Sequence, residues 1–446
     1  MPLRFRQEVQ ALPRQAGESL SDSRKAGGRA WPLRIACLLA AAIVTTAASP
    51  IAAAASNSER VGQQACSALL ARVNAIPGAG PVFLRSYDAG SGAGEGAEPA
   101  LNGAFTYDNA LAAIALQACG EGKAAARIGD ALLLAAANDR SGTPGRLRNA
   151  YRPGRAGQTP VPPMGWWSAP ERRWDEDAYQ TGSSAGNTAW AALALLTLAE
   201  ATNDPRYLES AAEIAHWTIA ETATANGFTG GLYGYDDAPQ RLTWKSTEQN
   251  TDLAAVFDWL ARLQPDAGWQ KPAAAAQGFV AAQWQDAENR FRVGTLPDGT
   301  TPNTHNSGLD AELWPLLLRD APDAWRGALA TVERAHRVGA GFDFNDDGDG
   351  VWWEGTAQAA LVYRAVGLPE KAEPLLGALA HQFSAGGLIW ATDRPRITTG
   401  LALSPASTTD DFYYYRLPHL GATAWAALAA RGWNPFTGKR VADPAP

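Results

Sequence analysis

Residues Gly186–Glu200 read GNTAWAALALLTLAE. Alanine and leucine are strong helix formers, and nothing in the run breaks a helix. After its polar opening the segment is apolar on every side, so the helix it forms has to be surrounded by protein. The short link Ala201–Asp204 follows, and then Pro205–Glu221 shows an apolar stripe beside a charged face. Proline suits the first turn of such a helix, because its missing N–H would be unpaired there anyway. A buried helix followed by a half-exposed one is the unit that recurs along the chain.

Five more small-residue segments share the first character: Tyr107–Cys119, Thr247–Leu263, Asn306–Arg319, Glu354–Val366 and Leu420–Arg431. Five more amphipathic segments alternate with them: Glu59–Ala75, Lys123–Ala137, Trp269–Glu288, Pro322–Arg337 and Pro369–Phe383. This alternation predicts an all-α fold, an (α/α)6 toroid with six inner and six outer helices. No Pro/Ser-rich linker divides residues 56–446, so one domain is expected there. The connections are unequal. Links from inner to outer helix are short, whereas those from outer to inner are long: Asn138–Ala185, Thr222–Ser246, Asn289–His305, Val338–Trp353 and Ser384–His419. All long loops therefore gather at the end where the inner helices begin. Long ordered loops often carry function, and helix N-termini add unpaired N–H groups and positive dipole ends.

With its alternating pairs, its loops at one rim, and openings such as TYDNALA (106–112), STEQNTDL (246–253) and WWEGTAQAA (352–360), the chain resembles the six-hairpin glycosidase superfamily. That group includes glucoamylases, cellulases, mannanases and unsaturated glucuronyl hydrolases, and its toroid also occurs in polysaccharide lyases and sugar epimerases. The resemblance spans the chain beyond residue 55 and implies the fold and a carbohydrate-active enzyme. It singles out no family, and no catalytic set carries over as a unit.

Glycoside hydrolysis usually needs two carboxyl groups flanking one bond, about 5–5.5 Å apart for retention and 6.5–9.5 Å for inversion. Acidic residues open most of the inner segments: Asp108, Glu248, Asp252, Asp310 and Glu354. Glu248 and Asp252 lie one turn apart and can share a face. Any one of these acids could be a first-turn residue worth about 0.5–2 kcal/mol to its helix. Their collection at one end points instead to chemistry, with Glu248 as general acid and Asp108 as base. Asp410 and Asp411 precede the aromatic run Phe412–Tyr415.

The chain has 17 Trp, many for 446 residues. Trp190, Trp217, Trp259, Trp314 and Trp425 fall mid-helix and read as core. Trp166, Trp167, Trp174, Trp244, Trp352, Trp353 and Trp390 fall in or beside the long loops, where indole faces can stack on sugars. Tyr107, Asn250, His305 and His419 complete the expected substrate contacts. The glycine-rich stretch Gly227–Gly234 suggests a short hairpin over the rim.

One loop carries a further pattern. Asp343, Asn345, Asp347, Gly348, Asp349 and Glu354 fit the spacing of a calcium-binding loop. Gly350 takes its usually apolar eighth position. The same acids could equally shape the rim, and calcium binding through Glu354 would exclude that residue as a free acid. The expected hydrolysis requires no cofactor. Zinc, nucleotide and dinucleotide motifs are missing from the sequence.

Charge is unevenly spread. Residues 1–55 hold seven Lys/Arg against three Asp/Glu, although the whole chain carries −7. A basic stretch ending at Arg29–Arg34, an apolar run Ile35–Ala48 and small residues Ala52–Ala55 read as a secretory signal cleaved near Ala55. The alternative is an uncleaved anchor, which Pro50 and the alanine-rich end disfavour. The protein is expected to be secreted or periplasmic, with no stable membrane insertion after cleavage, and monomeric. Cys66 and Cys119 would then meet an oxidising compartment, either bonded or as buried thiols. An acidic chain is a poor nucleic-acid ligand. It favours a neutral carbohydrate substrate over an acidic one, although Arg241, Lys245, Arg394, Arg396 and Arg416 could serve a lyase acting on an acidic glycan, with His305, His419 or one of Tyr413–Tyr415 as base. A non-catalytic carbohydrate-binding protein is the third reading.

Overall fold

The computed structural model describes residues 56–88, 102–409 and 412–441. The expected leader and its cleavage region, and the pair Asp410–Asp411, lie outside the described residues. Within them the chain is predominantly helical. Ser56 and Glu59 form a reciprocal capping box that starts α1, Asn57–Asn74. The inner segments become α2 (Thr106–Ala118), α5 (Ala185–Thr202), α7 (Thr247–Leu263), α9 (Leu309–Leu313), α11 (Trp353–Ala365) and α13 (Leu420–Arg431). The amphipathic segments become α3 (Gly122–Ala137), α6 (Pro205–Thr222), α8 (Gln270–Gln283) and α12 (Pro369–Leu379). A single turn, α4 (Ala178–Thr181), lies within the first long loop, and α10 (Ala328–Thr331) belongs to the fourth outer segment.

The fourth pair departs from the expected regular helices. Proline 315 donates no N–H and crowds the preceding turn, so α9 stops after one and a half turns and continues as a tighter 3-10 segment, Trp314–Leu317. Its outer partner is composite, with a 3-10 piece, α10 and a wider π turn over Val332–His336.

Packing follows a simple order. Each inner helix lies against the next, α2 on α5, α5 on α7, α7 on α9, α9 on α11, α11 on α13, and α13 returns to α2. The chain's first helix, α1, packs mainly on its last, α13. Cys66 of α1 and Cys119, at the end of α2, are joined by a disulfide with Cα atoms 5.8 Å apart. The mid-helix tryptophans are core as expected. Trp190, Trp314 and Trp425 come together from three different inner segments, with ring centroids 5.3–5.8 Å apart.

A recurrent device ties five of the six inner helices to the loop that precedes each. Asn109 of α2 accepts from Leu84 N–H and donates to the Leu84 and Phe105 carbonyls. Asn250 of α7 does the same with Phe228 and Ser246. Glu312 accepts from Phe291 N–H, Thr356 from Phe342 N–H and Thr423 from Ile389 N–H. Part of the polar character of the inner-helix openings is therefore structural, since buried backbone groups of the loops need partners. The expected rim hairpin is present: Gly231–Tyr233 pairs antiparallel with Gln240–Leu242 and, on its other side, with Ser183–Ser184.

Asn250 was expected to contact substrate, and the structure corrects this. The residue is fully buried and its amide is consumed by backbone. Asn250→Ala should cost about 2–3 kcal/mol by stranding the Phe228 groups. Urea unfolding would measure the loss; an unchanged midpoint would show that the amide bonds contribute nothing.

Candidate active site

The rim where the inner helices begin collects the carboxyl groups. Asp108 comes from the first turn of α2, Glu248 and Asp252 from α7, Asp310 from α9 and Glu354 from α11. Asp108, Asp252, Asp310 and Glu354 are buried, whereas Glu248 is half-buried and open to the rim. The acids lie close enough to perturb one another. Glu248 feels Asp310 and Glu354; Asp252 feels Glu248 and Asp310; Glu354 feels Asp108 and Asp310.

His419 stands between two of them. Its Nε2 is 3.2 Å from Asp108 Oδ1 and its Nδ1 is 3.3 Å from Glu354 Oε2. The other Glu354 oxygen accepts from the Tyr107 hydroxyl at 2.6 Å, and that hydroxyl accepts from Trp425 Nε1 at 2.8 Å. Tyr87 stacks flat on the imidazole, with centroids 4.4 Å apart and planes 6° from parallel. Gly421 makes this approach possible. A Cβ there would sit 2.6 Å from Asp108 Oδ1 and 2.9 Å from Glu354 Oε2.

Protonation follows from burial. Burial, then the Asp310 and Glu354 charges, push Glu248 well above the ordinary carboxyl range. Burial, Glu248 and Asp310 do the same to Asp252. Neither Asp252 oxygen makes a well-formed hydrogen bond, and the nearby Trp190 N–H is likewise unmatched. Burial lifts Asp310 to about 6 and Glu354 to about 7; His419 and Tyr107 restrain the latter while Asp108 raises it. Burial disfavours the charged form of His419, yet Asp108 and Glu354 together hold its pKa above the usual value. Tyr87, Tyr107 and Tyr414 are pushed up by burial and by these carboxylates. All three phenols therefore keep their protons at neutral pH.

The expected sugar contacts divide. Trp167 and Trp174 face each other across an antiparallel pair and are 62% and 45% exposed. Trp166, Trp244 and Trp390 are half-buried, with the Arg416 guanidinium over the Trp390 ring. Trp352 and Trp353 are 1% and 4% exposed, so they anchor the start of α11 instead of presenting a face at the rim. His305 is exposed, while His419 lies inside the carboxyl cluster. Lys245, a candidate cation for an acidic glycan, is buried beside Phe279.

The calcium-type loop also divides. Asp343, Asp347 and Asp349 bring carboxylate oxygens within 4.8 Å of one another. Asn345 donates to Asp347 and to Thr398. Glu354 is committed to Tyr107 and His419, so the twelfth position of the signature is not a ligand. Helix geometry explains this, because Glu354 sits in the first turn of α11 and turns inward with the rest of that buried helix.

Sequence reasoning missed Tyr87, Tyr179 and Gly421. Tyr179 lies among the site's charges, with Glu248 and Asp108 both acting on its hydroxyl. None of these residues belongs to a motif, and only the fold brings them together.

No family model and no curated protein matches the chain in sequence. Solved structures do match in fold. A wild-type glycosidase aligns with TM-score 0.52 at 15% identity, covering 84% of this chain and 96% of that one. A sugar epimerase from a ruminal bacterium gives TM-score 0.58 at 11% identity, covering 84% and 99%. A family 76 glycoside hydrolase from a bovine Bacteroides thetaiotaomicron strain gives 0.52 at 13%, covering 84% and 78%. The chain thus shares a helix-rich fold with these solved structures.

Asp310 offers a pH test. Its folded pKa, about 6, lies above its ordinary 3.8. The folded state then binds the extra proton between these values, so this group makes stability fall as pH rises from about 4 to 6. Asp310→Asn should remove that component, leaving the variant gaining stability relative to wild type across the window. Parallel denaturation curves at several pH values would check it, and identical pH dependence would refute it.

Proposed function

We propose that the chain is a glycoside hydrolase acting on a neutral oligo- or polysaccharide. The observation that carries this reading is the convergence of carboxyl groups from four inner helices on one rim. Five acids in one buried neighbourhood are costly unless protons, partners or a substrate compensate them. The shared fold with a glycosidase and a family 76 glycoside hydrolase supports the same class. We read the closed order of inner helices as an (α/α)6 double ring, with α13 and α1 as the sixth pair.

Glu248 acts as general acid. It is the carboxyl of the cluster with access to the rim, and its raised pKa keeps a proton available for a leaving glycosidic oxygen. Asp108 acts as base toward water. His419 is a positioning residue that aims the Asp108 carboxylate, and Glu354 with Tyr107 fixes the imidazole in turn. Burial and the Asp310 and Glu354 charges keep Glu248 protonated, and burial holds the Asp252 proton in the same way. Trp167 and Trp174 offer the exposed aromatic faces on which sugar rings stack.

A lyase would need a base to remove a ring proton and positive charge for its acidic substrate. The phenols beside His419 are strongly disfavoured as phenolates, and the cluster is acidic, so hydrolysis is the better reading. We further propose export to an oxidising compartment. The basic-apolar leader supports it, as does the Cys66–Cys119 disulfide. Among the described residues no helix is long and apolar enough to cross a membrane.

Glu248→Gln and Asp108→Asn should each keep the fold and lower turnover by about 10²–10⁴-fold. The assay is release of reducing ends from a panel of neutral glycans, with circular dichroism to verify folding. Full activity in either variant would remove that residue from its role. Products with the ultraviolet absorbance of an unsaturated sugar would replace hydrolysis by elimination.

A further inference from the structure

We propose that the loop 343–349 binds one divalent cation of the calcium class through Asp343, Asp347 and Asp349, without Glu354, and that this ion clamps the wall of the carboxyl site. Three features of the loop point to a ligand. The candidate carboxylate oxygens all lie within 4.8 Å of one another. Calcium–oxygen distances of about 2.4 Å place two ligands on opposite sides of the ion about 4.8 Å apart, so one ion can reach all three.

The second feature is Asp343. It is completely buried, it belongs to this cluster, and its Oδ2 makes no well-formed hydrogen bond. Its other oxygen accepts from Phe344 N–H at 2.8 Å. A buried carboxylate oxygen without a well-formed hydrogen bond is costly, and a cation relieves that cost.

The third is that, among the described residues, no positively charged side chain pairs with the three acids. Arg394 sits beside Asp393 at 3.7 Å, whereas Asp343, Asp347 and Asp349 form no ion pair among the described residues. Thr398 serves two of the acids, its hydroxyl donating to Asp347 and its N–H to Asp349 at 2.8 Å, but it adds no charge. Gly348, at φ +72°, turns the chain so that Asp347 and Asp349 face the same centre. Hard oxygen ligands on a turning loop suit calcium better than zinc or copper.

The position gives the ion a purpose. Phe344 O accepts from Leu309 N–H at 2.8 Å, where α9 begins just before Asp310. Phe342 O accepts from Trp352 N–H at 2.8 Å, where α11 begins just before Glu354. The Phe344 ring also packs on Trp352 and Tyr414. Holding residues 343–349 against Thr398 therefore holds two acid-bearing helix starts and one aromatic wall together.

The test uses the full exported chain, stripped with EDTA and then melted with EDTA, calcium chloride or magnesium chloride. Calcium should raise Tm by about 5 °C at concentrations far above its Kd, and titration calorimetry should give one site per chain. Asp347→Asn and Asp349→Asn, both at exposed positions, should fold and lose the shift. Asp346→Asn, exposed in the same loop but outside the cluster, should keep it. Equal melting in EDTA and in calcium would overturn the proposal. So would a calcium shift that survives in both cluster variants, or a response to magnesium alone.

Discussion

A ring of helices leaves a hole at its centre, and that hole must be filled. The inner helices here are rich in alanine, which lets them approach closely but supplies little volume. Trp190, Trp314 and Trp425 provide it from three directions, meeting edge to face and offset. This indole plug also locates the chemistry. Tyr107 rests edge-on against Trp190, and its hydroxyl receives the Trp425 N–H before passing its own proton toward Glu354. Hydrophobic filling ends at that level, and the carboxyl cluster begins.

The cluster is tolerable for a reason that burial itself supplies. Four inward carboxylates with full charge would repel strongly at low effective dielectric. Desolvation and neighbouring charge instead keep Glu248 and Asp252 protonated near neutral pH, and His419 lies between Asp108 and Glu354. The result is a set of acids at different protonation states within one cavity. Such differences separate a proton donor from a proton acceptor when the side chains are chemically alike.

Much of this organisation was legible in the sequence, and the residues show why. Inner and outer segments were separable because one kind is apolar all round and the other has a stripe. Their ends agree with the observed helices within a few residues, except in the fourth pair, where Pro315 turns α9 into a 3-10 segment and the outer segment is a composite of 3-10, α and π turns. The acids were legible because helix starts and long loops share one end. Tyr87 and Gly421 were not, because each matters only after distant segments meet. Trp352 and Trp353 looked like rim residues because they border a loop. They are buried because α11 needs apolar cover from its first residue. Asn250 looked like a ligand contact for the same reason that Asn109 could have, since both polar amides open apolar helices. Their common task of gripping loop backbone is visible only in three dimensions.

The pairing of the first helix with the last has a temporal meaning. Asp108 sits on the second helix of the chain and His419 at the start of the thirteenth, more than three hundred residues later. Ser58 of α1 likewise reaches Glu373 across a separation of 315 residues. Contacts this remote in sequence form late, because a long loop must close first. The carboxyl–imidazole chain is thus assembled only when α13 docks between α2 and α11. A chain truncated before α13 would retain most of its helices and five of its six pairs. It would still lack the residue that joins Asp108 to Glu354, so completeness of the polypeptide is a condition of the site's existence.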